Sequence, residues 1–488
     1  MDELIYYGLA SVLGLLAAII IVGPRRVLNP RHMGGLYFLV MFITYVLRPT
    51  LAFVAGDGTI SLEHLLPGVS ARILANLQPM TTAFVLSMVA FAIGYRLALR
   101  SDGRRAGERE TDTPDAHYRK QTARFALLLV AIGYASFFLA RRGFVGLAEN
   151  TTSMLNTGGG SVYTNTTGYV ELANYLVISG ALLFYAGTNK LWVALFLSLP
   201  WAYNQIYFGW SRYMIVALYV GLFGVWLVAP KPAKRISWQS FLLFALAATA
   251  LSYVILVRGD RFFLQKGSSF QTAAQRSLAQ SPDDILGDLA GFEGSWYTLA
   301  TLSDRTPTYG ANIVYQYFIK PIPRLLWPGK PVPLEFTWSH VLGLAQGNDP
   351  RLEYNDAIWW SGPVRGSIGY AASEGGWLGI ILNFGFTGMV LAWVERRAAV
   401  AGGSLIWYGV YGATYALITV LGRIDIFQAG LNQLLLFYLP YLFIHGWLTR
   451  APHISRRRQR QQLRRRIDQY RLLHWQTVPR EDLPADSS

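Results

Sequence analysis

Cysteine is absent from the 488 residues, so neither a disulfide nor a thiolate metal site can form. Charge is scarce as well: 15% of residues are Asp, Glu, Lys or Arg, against roughly 25% in a water-soluble domain. With 52% apolar and 14% aromatic residues and a mean hydropathy of +0.29, that deficit points to a bilayer. Acidic residues are the scarcer sign, 28 against 43 basic, for a net charge of +15. Most of the basic residues sit beside apolar runs, where they report topology rather than nucleic-acid binding.

What is present is a series of long apolar runs. An apolar helix needs about 20 residues to cross roughly 30 Å of hydrocarbon. Eleven candidates follow in order: 3–23, 33–53, 78–99, 124–140, 169–187, 190–207, 212–229, 240–257, 370–394, 404–421 and 427–448. The stretch 190–229 makes two spans only with a break near Gly209–Arg212. Acidic residues Asp2 and Glu3 open the chain and Arg25-Arg26 follow the first run. That is the reverse of a cleavable signal and predicts a retained first span.

Basic residues alternate between connections. Arg25, Arg26 and Arg31 fill the first, Arg100 to Lys120 the third, Lys231 to Arg235 the one after the seventh span, and Arg396-Arg397 another. The positive-inside rule then predicts a periplasmic N-terminus and a cytoplasmic C-terminus in an inner membrane. The Arg-rich tail 449–488 repeats Leu463, Ile467, Tyr470 and His474 at helical spacing. It reads either as a helix on the anionic leaflet or as a solvated topology anchor. The predicted organisation is an eight-span bundle (1–257), a large periplasmic region with short helices (258–368), three further spans (369–448) and this tail.

Arginines also recur at the outer ends, against the topological bias. They are Arg48, Arg141-Arg142, Arg212, Arg258 and Arg261, Arg365 and Arg423. An Arg at mid-bilayer costs roughly 2.5–3.5 kcal/mol, and less where it snorkels. Any one of them is therefore bland; together they call for a compensating polyanion. Guanidinium forks bind phosphate oxygens bidentately and stay charged. When a sugar leaves a lipid pyrophosphate, donors fixed where charge develops are each worth about 3–4 kcal/mol. No Asp-x-Asp pair, and of the histidines only His64 and His340, falls on the expected outer side. Arginine, without a metal or other cofactor, is the economical means of stabilisation.

The insertion holds an unusual strip, Lys320-Pro-Ile-Pro-Arg324-Leu-Leu-Trp327-Pro-Gly-Lys330-Pro-Val-Pro. Its prolines forbid a continuous helix and stiffen an extended backbone. It reads either as a headgroup girdle or as the rim of a glycolipid site, with Trp296, Trp338 and Trp359-Trp360 as added aromatic platforms. A general base has to take the proton of the attacking hydroxyl. Glu374, in Tyr370-Ala-Ala-Ser-Glu-Gly-Gly-Trp377, is the leading candidate, its pKa raised by half-burial; Asp260, Asp356 and Asp425 compete. The bland alternative places Glu374 in a helix's first turn, satisfying the dipole. Asp260 and Asp425 can equally pair with neighbouring arginines.

Three patterns then occur in order: Pro-Arg324-x-x-Trp327-Pro-x-Lys330-Pro, Gly369-Tyr-x-x-x-Glu374-Gly-x6-Leu382-Asn383-Phe384-Gly385, and Gly422-Arg423-x-Asp425. With Arg48-Pro49 ending the second span, they resemble bacterial oligosaccharide repeat-unit polymerases, the Wzy or O-antigen polymerase class. The motifs cover about 100 residues around 320–425. The resemblance implies an all-α polytopic glycosyltransferase of the GT-C type. Its substrate would be an undecaprenyl-pyrophosphate-linked oligosaccharide, extended among membrane lipids at the periplasmic face. It also leaves room for a chain-length-regulating co-polymerase as partner. By that analogy Arg324, Arg423, Asp425 and Glu374 form the catalytic set. Arg48, Arg258, Arg261, Lys330, Arg365, Trp327 and Asn383 would bind substrate. Ile424 stands where the family pattern leads one to expect glycine, which puts the local backbone in question.

Two other functions share most of these features. A ligase-type transferase would use the same donor with a different acceptor. A transporter of the same lipid would show paired broken helices near mid-membrane, and no half-to-half similarity is found.

Overall fold

A computed structural model describes residues 2–55, 77–100, 116–140, 173–208, 212–229, 291–300, 307–319, 366–400 and 405–450, with isolated positions such as Trp327. Every regular element among them is helical. In chain order these are α1 (Asp2–Val22), α2 (Pro24–Val27), α3 (Met33–Phe42), α4 (Arg48–Ala55), α5 (Gln78–Arg100), α6 (Ala116–Ala140), α7 (Leu176–Thr188) and α8 (Leu191–Phe208). There follow α9 (Arg212–Val228), α10 (Gly291–Ala300), α11 (Ala311–Val314), α12 (Gly366–Val400), α13 (Leu405–Ile418), α14 (Ile426–Gln433) and α15 (Leu439–Arg450). Single π-helical turns at Ile43–Leu47, Tyr315–Ile319 and Leu434–Tyr438 join α3 to α4, extend α11, and join α14 to α15.

Among the described residues, five helical stretches are long and apolar enough to cross a membrane: Ile5–Val22, Met33–Leu51, Gln78–Arg100, Tyr118–Phe138 and Gly366–Ala399. Five shorter apolar helices accompany them, at Leu176–Thr188, Leu191–Tyr203, Met214–Val228, Leu405–Ile418 and Leu434–Trp447. Five expected spans thus coincide with helices long enough to cross, five others coincide with the shorter apolar helices, and 240–257 lies outside the described residues apart from isolated positions. α8 ends at Phe208 and α9 starts at Arg212; residues 209–211, where the break is expected, lie outside the described residues.

The outer surface is apolar, unlike that of a soluble bundle. Large apolar side chains face outward, with Leu13 66%, Ile20 71% and Phe196 73% exposed. In water that surface would drive aggregation; in lipid it is the solvated face. Inside, where two helix backbones come close, glycines make the contact. α12 packs most extensively on α5. A Cβ on Gly94 would lie 2.0 Å from Gly385 O, and one on Gly388 would lie 2.2 Å from Phe91 O. Without a hydrophobic force between helices in lipid, such backbone-to-backbone fit is what drives their association.

The 35 residues of α12 would rise about 52 Å if straight, well beyond a roughly 30 Å core. The helix is in fact broken: Gly375 has φ −156° and ψ 23°, and Gly376 has φ +59° and ψ −142°. Side-chain residues avoid that last region, so the Gly-Gly pair is where the break can form. The first segment ends at Glu374; the second is long enough to span alone.

Part of the insertion is core. In α10, Gly291 through Trp296 are all buried, and the helix lies against α12, α5 and the π turn after α3. At the far end of α12, buried Glu395 accepts hydrogen bonds from Tyr95 Oη and Met33 N (3.1 Å for the latter) and contacts His32 Nδ1. Tyr411 and Tyr415 donate to the carbonyls of Arg31 and Pro30 at 2.6 and 3.2 Å. This clasp pins the α2–α3 connection about 28 Å along the helix from the Gly-Gly break.

Candidate functional site

Those predicted site residues that are described, apart from Trp327, lie on elements that meet at the other end of α12, around three backbones in contact. A Cβ on Gly291 would sit 2.6 Å from Gly422 O, and one on Gly366 would sit 1.9 Å from Gly291 O. Ser367 N donates to Gly422 O at 3.4 Å. Tyr45, in the π turn, stitches the same junction: its hydroxyl lies 3.1 Å from both Ser295 Oγ and Ser367 Oγ and accepts from Ile368 N at 3.3 Å. The start of α10, the start of α12 and the turn before α14 are therefore held as one unit.

Arg48 opens α4 directly after that π turn. Its Nε donates to Glu293 Oε1 at 2.8 Å, and Nη2 lies 2.7 Å from the same oxygen. Both side chains are buried, at 3% and 4% exposure. Nη1 of Arg48 and Oε2 of Glu293 are buried without a hydrogen-bond partner among the described residues. A buried pair with one donor and one acceptor unused is costly to desolvate and incompletely repaid. Glu293 was not legible as a site residue: it is one carboxylate in a mixed segment. Only the small residues around it, Gly291, Gly294 and Ser295, hinted at close packing.

Asn383 and Asp425 come together across 42 residues of sequence, Asn383 Nδ2 donating to Asp425 Oδ2 at 2.8 Å. Asp425 is 2% and Asn383 6% exposed. Arg423, half-buried on the turn between α13 and α14, follows the Gly422 that touches α10. Ile424 needs no left-handed backbone there. Among the described residues, positive φ is confined to Asn189, Tyr309 and four glycines. The glycine expected at that position is not required by the geometry.

Glu374 corrects one expectation. It ends the first segment of α12 instead of starting a helix, so a first-turn dipole interaction does not explain it. Its support comes from Thr308, whose Oγ1 donates to Glu374 Oε2 at 2.8 Å and whose N donates to Ser373 O at 2.8 Å. The Thr308 segment thus lies across the Gly-Gly break, with Pro307 Cγ 3.9 Å from where a Gly376 Cβ would be. Beside it, Tyr309 has φ +49° and is 79% exposed, a costly conformation for an aromatic residue. Neither Thr308 nor Tyr309 carried a sequence signal.

Tyr317, in the π turn after α11, closes the group. Its hydroxyl donates to Phe427 O at 2.9 Å, in space left by Gly430. Burial pushes its phenol up to about 12, with the charge of Asp425 and the neighbouring Tyr438 adding to the rise. It therefore remains a neutral donor at any working pH.

Trp296 is a second correction. It is 1% exposed and tilted against Phe292, with ring centroids 5.7 Å apart, so it is core and offers no face to a sugar. Trp327 is 39% exposed. Arg258, Arg261, Arg324, Lys330 and Arg365 lie outside the described residues, as do Asp260, Asp356, Trp338 and Trp359-Trp360. No cluster able to hold a metal ion occurs among the described residues. No family model, curated protein or solved structure matches this chain.

Proposed function

We propose that this chain is a membrane glycosyltransferase that polymerises undecaprenyl-pyrophosphate-linked oligosaccharide units. One observation carries the reading: Arg48, Glu293, Glu374, Asn383, Arg423 and Asp425, drawn from four separate stretches, lie on elements that meet at one end of an apolar bundle. Buried ionisable groups in membrane helices are expensive and are retained for function. In this reading the bundle has eleven spans of GT-C type, with the gathered end periplasmic and the C-terminus cytoplasmic.

In the proposed step, the bond between the sugar's anomeric carbon and the pyrophosphate oxygen breaks, and its electron pair leaves with the pyrophosphate. An acceptor hydroxyl forms the new bond to that carbon and gives its proton to a carboxylate. Glu374 is our candidate base, buried, hydrogen-bonded to Thr308 and next to a helix break with open space at Gly375; Asp425, oriented by Asn383, is the competitor. Arg423 would meet the developing charge with Arg324, Lys330, Arg365, Arg258 and Arg261, without a metal. Arg48, buried in its pair with Glu293, would act on the substrate only indirectly, by fixing α4 against α10.

The test is purified protein in vesicles with lipid-linked repeat units. Polymerisation gives a ladder of lengths and releases lipid pyrophosphate, unaffected by EDTA. A single shifted acceptor would instead establish a ligase. The helix break at Gly375–Gly376 favours a second reading, a transporter, because discontinuous helices line transport sites. Movement of the lipid-linked unit across the vesicle with no covalent product would establish that and refute transfer.

A further inference from the structure

The end of the bundle opposite the site carries a cavity of about 560 Å³ between the last turn of α1, the α1–α2 turn and the last turn of α5. Among the described residues its walls include Arg25, Arg26, Arg96 and Arg100, and no carboxylate. Arg96 has a structural task, since its Nη1 donates to Ile21 O at 2.7 Å and satisfies a carbonyl of α1's open C-terminus. The other three are exposed. Among the described residues no acidic side chain pairs with them.

Topological bias accounts for arginines on this side, but not for four of them around one hollow. The remaining wall is apolar, from Ile20, Ile21, Val22 and Leu99. Ile20 is 71% exposed and Leu97, one turn from Arg100, is 57% exposed, so the hollow opens onto the surface that faces lipid. A ligand suited to it has a phosphate for the guanidiniums and alkyl chains for the flank. We infer that this cavity binds the headgroup of an anionic phospholipid of the adjoining leaflet. Guanidinium forks would take the phosphate oxygens, as basic pockets between membrane helices do for acidic headgroups. The inference is independent of the transfer reaction proposed above.

The experiment measures binding of phosphatidylglycerol, phosphatidylcholine and inorganic phosphate to the full-length protein in neutral detergent, by native mass spectrometry and thermal shift. Phosphatidylglycerol should bind and stabilise while phosphatidylcholine does not. The double variant Arg25→Gln/Arg26→Gln, which leaves Arg96 in place, should weaken that binding roughly thirty-fold. Lys120→Gln/Lys190→Gln removes equal charge from exposed positions outside the cavity and should leave binding unchanged. If the arginine variant fails to fold, Arg100→Gln alone should still lower affinity several-fold. Equal binding by the wild type and the arginine variants overturns the inference. So does stabilisation by inorganic phosphate without stabilisation by phosphatidylglycerol, or wild type showing no preference between the two lipids.

Discussion

Arg48 reaches from the first turn of α4 to Glu293 of α10 with two of its nitrogens on a single carboxylate oxygen, 2.8 and 2.7 Å away. Each partner is the other's only compensation among the described residues. Removing either one leaves an unpaired charge in the core, which typically costs about 3–5 kcal/mol. Glu293→Gln and Arg48→Met should each show that loss in denaturant unfolding from mixed micelles. The double replacement Arg48→Met/Glu293→Met should recover most of it. Additive losses would mean that the two residues do not act as a pair.

The break in α12 depends on one backbone conformation. Gly376→Ala places a side chain at φ +59°, a cost of about 1–3 kcal/mol, and should displace Glu374 from Thr308. Gly375→Ala has open space for its Cβ and should cost less. Comparing unfolding midpoints and transfer rates of the two variants checks the ordering.

Asp425 separates charge from shape. Asp425→Asn keeps an acceptor for Asn383 and nearly the same volume, so stability should shift little. If its carboxylate takes part in proton transfer, chain extension should fall by about 10²–10⁴. Glu374→Gln, which can still accept from Thr308, is the parallel test for the other candidate. A large loss in only one of them identifies the base.

The two ends of the bundle should respond differently. Glu395→Ala strips the acceptor from Tyr95 and Met33, and each buried group left unpaired costs about 1–3 kcal/mol. The expected result is a lower melting temperature with an unchanged rate per folded molecule. Arg423→Gln should do the reverse, abolishing extension while leaving the melting temperature near that of the wild type.

Apolar run length made the helices legible, because a bilayer imposes one length and one composition on whatever crosses it. The residues of the site were partly legible for the same reason: Arg48, Asn383, Arg423 and Asp425 interrupt segments that otherwise tolerate little polarity. What the chain did not announce were partners chosen by tertiary contact. Glu293 and Thr308 are ordinary residues in mixed segments, and only folding places them against Arg48 and Glu374. Trp296 was misread because a tryptophan in a polar insertion suggests a surface, whereas its helix is buried. The Gly375-Gly376 pair beside Glu374, a dipeptide that favours turns, marked the end of a helix inside a long apolar run.

The ten residues of α10 rise only about 15 Å, half the thickness of a hydrocarbon layer, yet they hold Glu293 where water and dissolved ions have no access. Mobile counter-ions weaken attraction between charges they can surround, and much less between charges they cannot reach. The grip of α10 on α4 should therefore persist in molar sodium chloride, under which an exposed ion pair would have lost its hold.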